Sequence, residues 1–325
     1  MPSWQSSLRY DPTPRLLGAD DPALAFFVRR DLLGERPRGR RALWDLPEVK
    51  SLLARQRPSG AWAYPKKGSA REPYNNFDLL ETWRSLGVLV DMHAMDRSHP
   101  AIERAATYIF SCQAKPGDLR GILGNQHMPY YHSVIIERLV RAGFVRERAI
   151  LRGLDWLLEV RQDDGGWIVP AQTTRWWEST SSFWRGRPLP PDRSLPFSHM
   201  ATGMALRGLV VHPSYRRRRE VRAACALLAG RMFEPDRHSG RRGREYWLKF
   251  QYPFWWTNIL TALDTLHRAG FSADDPRVER ALRWFLAHQR RDRLWDTGYG
   301  YGSRAARNEM WVALAVCRVL RAYLG

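Results

Sequence analysis

Apolar residues recur along this chain at three- and four-residue spacing, and almost every such run stops at a capping signal. The first predicted helix covers residues 22 to about 33, behind Asp20-Asp21-Pro22, with proline at its opening position. The next runs span 46–57 and 76 to about 94, the latter with Leu79, Leu80, Trp83, Leu86 and Val90 at helical intervals. Residues 101–113 put Ile102, Ala105, Tyr108 and Ile109 on one face. About 129–142 and 257–269 end in Gly143-Phe144 and Gly270-Phe271, a glycine stop followed by an apolar contact. Leu151, Leu154, Leu157 and Leu158 mark a further helix, and 198–209, 220–232 and 278–289 follow. The last, 308–323, is apolar on every side from Trp311 to Val316, as expected of a helix buried all round. No strand pattern is convincing, so eleven helices and an all-α fold are predicted.

The endings repeat. Gln162 is followed by Asp163-Asp164, a Gly165-Gly166 break and Trp167; Gln56 is followed by Gly60 and Trp62. Gln113 and Gly117 form a degenerate copy without the indole, and Trp295 comes six residues after Gln289. A chain that stacks helices around a ring has a use for this ending. The glutamine amide can satisfy free backbone groups at helix ends while the indole wedges against a neighbour. Glutamine-ended helices alternate with more apolar or aromatic ones, which is repeat organisation.

Arg152-Gly153, Trp156, Leu157-Leu158, Gln162, Gly166 and Trp167 together resemble the QW motif of the squalene cyclase and prenyltransferase repeat superfamily. The resemblance implies an α/α toroid of up to six inner–outer helix pairs, terpenoid cyclase/prenyltransferase-like, over residues 20–325 as one domain behind an N-terminal extension, 1–19. An open solenoid of helical pairs is the structural alternative. The resemblance further implies a terpene cyclase-like activity on an isoprenoid or similarly apolar substrate, diphosphate-bearing in one version. The familiar mechanisms do not transfer residue by residue. Class II cyclases protonate an alkene with DxDD, which this sequence lacks, and Asp296 precedes Thr297-Gly298 where the prenyltransferase zinc motif has a cysteine.

Composition adds two constraints. Three cysteines far apart suggest neither a disulfide framework nor a zinc site. His127 and His132, five residues apart, are a poor metal pair on a helix, so no metal and no cofactor is expected. The formal net charge is +19, with only five lysines among 52 basic residues, gathered in runs such as Arg216 to Arg219. That sign favours anionic surfaces or ligands. An anionic membrane surface is one such partner, nucleic acid a less favoured one, and a plain solvated surface is the simplest account. With no signal-like N-terminus and no run of about 18 apolar residues, a cytoplasmic protein, at most membrane-peripheral, is expected.

If the alternate helices line the lumen, their N-terminal ends converge on one mouth. Tyr74, Trp83, His127, Tyr131, His199, Trp255, Trp256, Asn258 and Trp311 are then expected to line a substrate pocket, aromatic with a few polar groups. Asp78, Glu309 and His132 are the candidate proton carriers, through acidity shifted by burial. Plainer roles compete: Asn76 as a helix cap, His132 as a core histidine beside Ile136 and Leu139. The proline- and tryptophan-rich stretch 170–196 reads as a lid or rim. Two other functions remain open: a non-catalytic toroid binding lipid or protein, and a toroid acting on polyanionic polysaccharide or nucleic acid.

Overall fold

The computed structural model describes residues 4–65, 75–173, 184–238, 241–300 and 302–325. Among them twelve α-helices alternate between two roles, and the only β-pairing is in isolated bridges. One set is α1 (Thr13–Leu17), α3 (Pro47–Ala54), α5 (Pro100–Ser111), α7 (Arg148–Glu159), α9 (Arg219–Gly230) and α11 (Pro276–Ala287). The other is α2 (Pro22–Asp31), α4 (Phe77–Leu86, continued by a π-helical turn over Gly87–Met92), α6 (Pro129–Arg141), α8 (His199–Val211), α10 (Ile259–Arg268) and α12 (Ser303–Leu324).

Burial distinguishes α6 and α8 from α7. In α7 only Ile150, Gly153, Leu154, Trp156 and Leu157 are buried, a single stripe that marks an outer helix. In α6 every residue from Pro129 to Leu139 is buried, and in α8 every residue from His199 to Val210. Helices covered on all sides are inner ones. Side chains join successive inner helices from α4 to α12. Trp83 Nε1 donates to Val134 O at 3.1 Å, Ser133 Oγ to Ala205 O at 2.5 Å, and Tyr323 OH to Leu263 O at 3.0 Å. Thr257, just ahead of α10, donates to Met200 O at 2.7 Å. The close approach of α6 and α8 needs Gly208, where a Cβ would stand 2.6 Å from Ser133 O.

The ring closes between the ends of the chain. Trp311 Nε1 donates to Asp21 at 3.0 Å, and Arg318 pairs with Asp31 at 2.6 Å, fastening α12 to α2. The twelfth helix, absent from the sequence reading, is α1. It is a single turn capped by Pro12 with Pro14 at its second position, too short for a periodic signal, and it packs as the sixth outer helix with Leu16 and Trp4 in the core. The structure therefore includes residues 4–17 in the ring.

The repeated endings are the joints of this ring. Gln56 Nε2 donates to Gly60 O in its own turn and to Ala101 O at the start of the next outer helix, at 2.9 and 2.8 Å. Gln113 does the same to Gly117 O and Ala149 O. Trp62, Trp167 and Trp295 are all buried, and each indole N–H donates to the carbonyl ten residues back: Leu52, Leu157 and Phe285. Gly60 fits because its Cβ-less backbone, at φ 89°, lies where a side chain would meet Arg104 O at 2.1 Å. The third joint differs. Gln162 Nε2 donates to Asp192 O and Leu195 O, so it holds the described end of the long 170–196 stretch instead of the next helix. Residues 174–183 of that stretch lie outside the described residues.

Candidate ligand site

Alternation of inner and outer helices gives all inner helices one sense, so their N-terminal ends share one side of the ring. There the aromatic side chains pack on each other. Trp83 meets Tyr131 and Trp255 at centroid distances of 5.9 and 4.9 Å, and Trp255 stacks on Trp256 at 5.5 Å. Tyr130 and Tyr131 complete the group at 4.5 Å from each other. Guanidinium groups cover it from outside: Arg84 lies 4.5 Å from Trp255 and Arg241 4.4 Å from Trp256. Four of the expected pocket residues, Trp83, Tyr131, Trp255 and Trp256, are thus brought together.

Below this group the chain itself enters the ring. The segment before α10 is gripped by two buried arginines, with Arg138 donating to Phe254 O at 3.1 Å and Arg207 to Trp255 O at 2.7 Å. Arg138 also donates to Trp83 O at 2.8 Å and lies 4.1 Å from that indole's centre. Room for its guanidinium exists because Gly87 has no side chain: a Cβ there would stand 2.5 Å from Arg138 Cζ. Glu137 pairs with Arg207 at 2.5 Å and Arg141 at 2.8 Å, and Asp91 with Arg138 at 3.4 Å. Burial alone would raise the Glu137 pKa, but Arg207, Arg141 and Arg138 reverse that and keep it ionised. Burial likewise works against Asp264, which Arg268 and Arg141 nevertheless hold down to about 2. Burial brings Arg138 down to about 10, still charged at neutral pH. The centre of the ring is an ion-paired network.

Tyr252 divides what space remains. It stacks on Trp311 at 5.6 Å with the rings 4° from parallel, accepts from Arg318 at 3.0 Å and donates to Asp91 O at 3.3 Å. On its C-terminal-end side lies a charged cavity of about 400 Å³, lined by Arg30, Arg40, Arg141, Arg268, Arg318, Asp31, Asp91 and Asp96. On its other side lies a pocket of about 460 Å³ at the start of α12. Met92, Tyr252, Ala305 and Trp311 supply its apolar surface, Tyr299, Gln251 and Asn308 its polar groups, and Arg304 and Arg307 its rim.

The remaining expected residues fall as follows. Asp78 accepts from Arg57 at 2.6 Å and from Tyr64 N at 2.9 Å. Glu309 is bidentate with Arg290, at 2.9 and 3.1 Å. His132 is fully buried; Nδ1 accepts from Leu119 N at 3.0 Å and Nε2 donates to Gly153 O at 2.9 Å. Burial holds its pKa down to about 4, hence neutral. His127 donates from Nδ1 to Asp118 at 3.1 Å, and burial of Asp118 is outweighed by His127 and Arg120, which bring it to about 2. His199 stacks on Trp247 at 4.5 Å beside Asp236 at 3.3 Å; burial holds it down to about 4. Asn258 caps α10 in a reciprocal box with Thr261. Trp311 lines the apolar pocket, and Tyr74 lies outside the described residues.

Tyr252, Arg138, Arg207 and Arg304 were not expected. Glu137-Arg138, set between Ile136 and Leu139 in an apolar helix, is the one local signal that could have pointed to the central network.

Comparison with known families finds no matching family model, and comparison with curated proteins finds no match. Among solved structures, the apo type II terpene cyclase MstE from Scytonema is similar at 14% identity and a TM-score of 0.34, over 92% of this chain and 72% of that one. A variant of that cyclase, solved with its substrate geranylgeranyl dihydroxybenzoate, gives 14% identity and a TM-score of 0.35, over 98% and 84%. A protein from Actinoplanes gives 17% identity and 0.28, over 87% and 99%.

Proposed function

We propose that this protein holds an isoprenoid or similarly apolar small molecule at the start of α12, in a terpene cyclase- and prenyltransferase-like ring. The apolar part of the ligand lies against Trp311, Tyr252 and Met92, and an anionic end, such as a diphosphate, meets Arg304. The observation that carries this reading is the pocket of about 460 Å³ with an apolar floor and an arginine rim. That volume falls within the usual range for small-molecule sites, and a few convergent polar groups over an apolar floor are their usual composition. The free N–H groups of a 22-residue helix open on the same side and favour an anionic group.

Holding the ligand, as opposed to converting it, is the reading the acid groups favour. Asp78, Glu309 and His132 remain the proposed proton carriers should turnover occur, and each would first have to exchange a partner: Arg57, Arg290 or the backbone. The described carboxyl groups whose acidity is displaced, Asp31, Asp96, Asp118, Glu137, Asp264, Asp275 and Asp292, are all displaced towards the ionised form.

Extraction of the purified protein followed by mass spectrometry tests the proposal. An apolar species near one per chain is expected, and it should be lost in Ala305→Trp, which fills the pocket from a half-buried position without touching the core. A ligand-free protein that also fails to bind an added isoprenoid diphosphate, or an Ala305→Trp variant that keeps the ligand, defeats it. Recovery of a changed product from that diphosphate would instead establish an enzyme.

A further inference from the structure

Arg307 has no part in the site as described beyond its rim, yet it borders a second space. A groove of about 830 Å³ runs between the starts of α2, α3 and α12, with Leu24, Leu46, Pro47, Ala306 and Met310 as its apolar wall. Arg307 lines both this groove and the pocket over Trp311. Helical geometry explains the double role. On α12, Arg304, Asn308 and Trp311 share one face, Ala306 and Met310 share the adjoining one, and position 307 is the ridge between them.

Arg307 makes two contacts at this boundary. The Arg307 guanidinium reaches across to Asp21 at 3.1 Å and to Glu48 at 3.5 Å, and its side chain is 46% exposed. Exposed ion pairs of this kind hold a long side chain only loosely. Below them the bond from Trp311 Nε1 to Asp21 remains as a common floor. Asp21 is held separately as the cap of α2, accepting from Leu24 N at 3.0 Å, so the far post of the wall is fixed while Arg307 is the movable one.

We propose that Arg307 sets the length of apolar chain this site accepts. With its ion pairs closed, a chain entering past Arg304 stops at Arg307. With Arg307 removed or swung outward, the pocket continues over Ala306 and Met310 into the groove, and a longer chain buries additional apolar surface there. The inference rests on the ligand reading given above and adds the ligand class: a linear chain whose end lies at Arg307.

Isothermal titration with a ten-carbon and a twenty-carbon isoprenoid alcohol tests it. The wild-type chain should bind the shorter alcohol at least as tightly as the longer. Arg307→Ala should tighten the longer by roughly tenfold or more, since each added buried methylene contributes to affinity, and so raise the ratio of longer- to shorter-chain affinity above that of the wild type. Glu48→Gln, which loosens the wall without shrinking it, should fall between. If the wild type already prefers the longer chain, or Arg307→Ala leaves the ratio unchanged while both alcohols still bind, Arg307 is not the determinant and the ligand reading stands. If neither alcohol binds and Ala305→Trp makes no difference to any retained ligand, the ligand reading fails and this inference with it.

Discussion

Gln289 holds Tyr10 by both sides of its peptide, accepting from Tyr10 N at 3.0 Å and donating to Tyr10 O at 2.7 Å. The donation to a carbonyl is the joint contact that Gln56 and Gln113 make to the next outer helix, here made across 279 residues of sequence. The last repeat thus treats the N-terminal segment as its neighbour. Gln289→Leu should remove both bonds, together with the one to Arg293 O at 3.2 Å, and leave three backbone groups without this partner, costing on the order of 2 kcal/mol. Hydrogen exchange checks the location of the effect: amides of residues 8–17 should exchange faster, with little change in α5 or α7.

Gly87→Ala decides whether the central network contributes to stability. Gly87 is helical at φ −58°, so alanine is locally favoured by about 1 kcal/mol. Its methyl group, however, would displace the Arg138 guanidinium from Trp83 O, Phe254 O and Asp91. Breaking a buried charged network costs about 3–5 kcal/mol, so a net loss of at least 2 kcal/mol is expected. Urea unfolding that shows the variant equal to or more stable than the parent would mean the arginine has somewhere else to go.

Acid should weaken the fold in a defined window. His132 and His199 are held neutral, with pKa lowered by burial from 6.5 to about 4, Asp236 only partly offsetting this for His199. Unfolded histidines take up protons below about pH 6.5 while these two do not, so stability is full above that pH and declines as pH falls towards 4. The full loss is about 3 kcal/mol for each. Unfolding midpoints at pH 7, 5.5 and 4.5 should fall in that order, and His132→Gln should be less stable at pH 7 but flatter with pH. A midpoint that is constant from 7 to 4.5 contradicts the assignment.

The two expected acids can be separated from the site by isosteric change. Asp78→Asn and Glu309→Gln each remove a partly exposed ion pair, worth up to about 1 kcal/mol. A small drop in melting temperature with unchanged ligand retention is expected for both. Abolished turnover, in a protein shown to convert a substrate, with unaltered melting would make that carboxylate a proton carrier.

The pattern of apolar spacing, glutamine–glycine endings and indoles determined a great deal. Those features act through bonds within one turn or between adjacent helices, so the local sequence states them, and the inner–outer alternation followed from which helices lack a polar face. It did not reveal α1, a turn that two prolines permit but no periodicity marks. Nor did it place the 252–256 segment inside the ring or Arg138 and Arg207 at its centre. A charged residue on a helix reads as solvated until the tertiary structure shows that its face points inward, where Gly87 makes room and Glu137, Asp91 and the carbonyl groups of Trp83, Phe254 and Trp255 supply partners. The aromatics legible in the sequence did come together, but as a packed group. The open pocket formed beside them because Tyr252, on a segment with no periodic signal, happened to stack on Trp311 and divide the lumen. That depends on contacts between residues 59 positions apart, which no local pattern encodes.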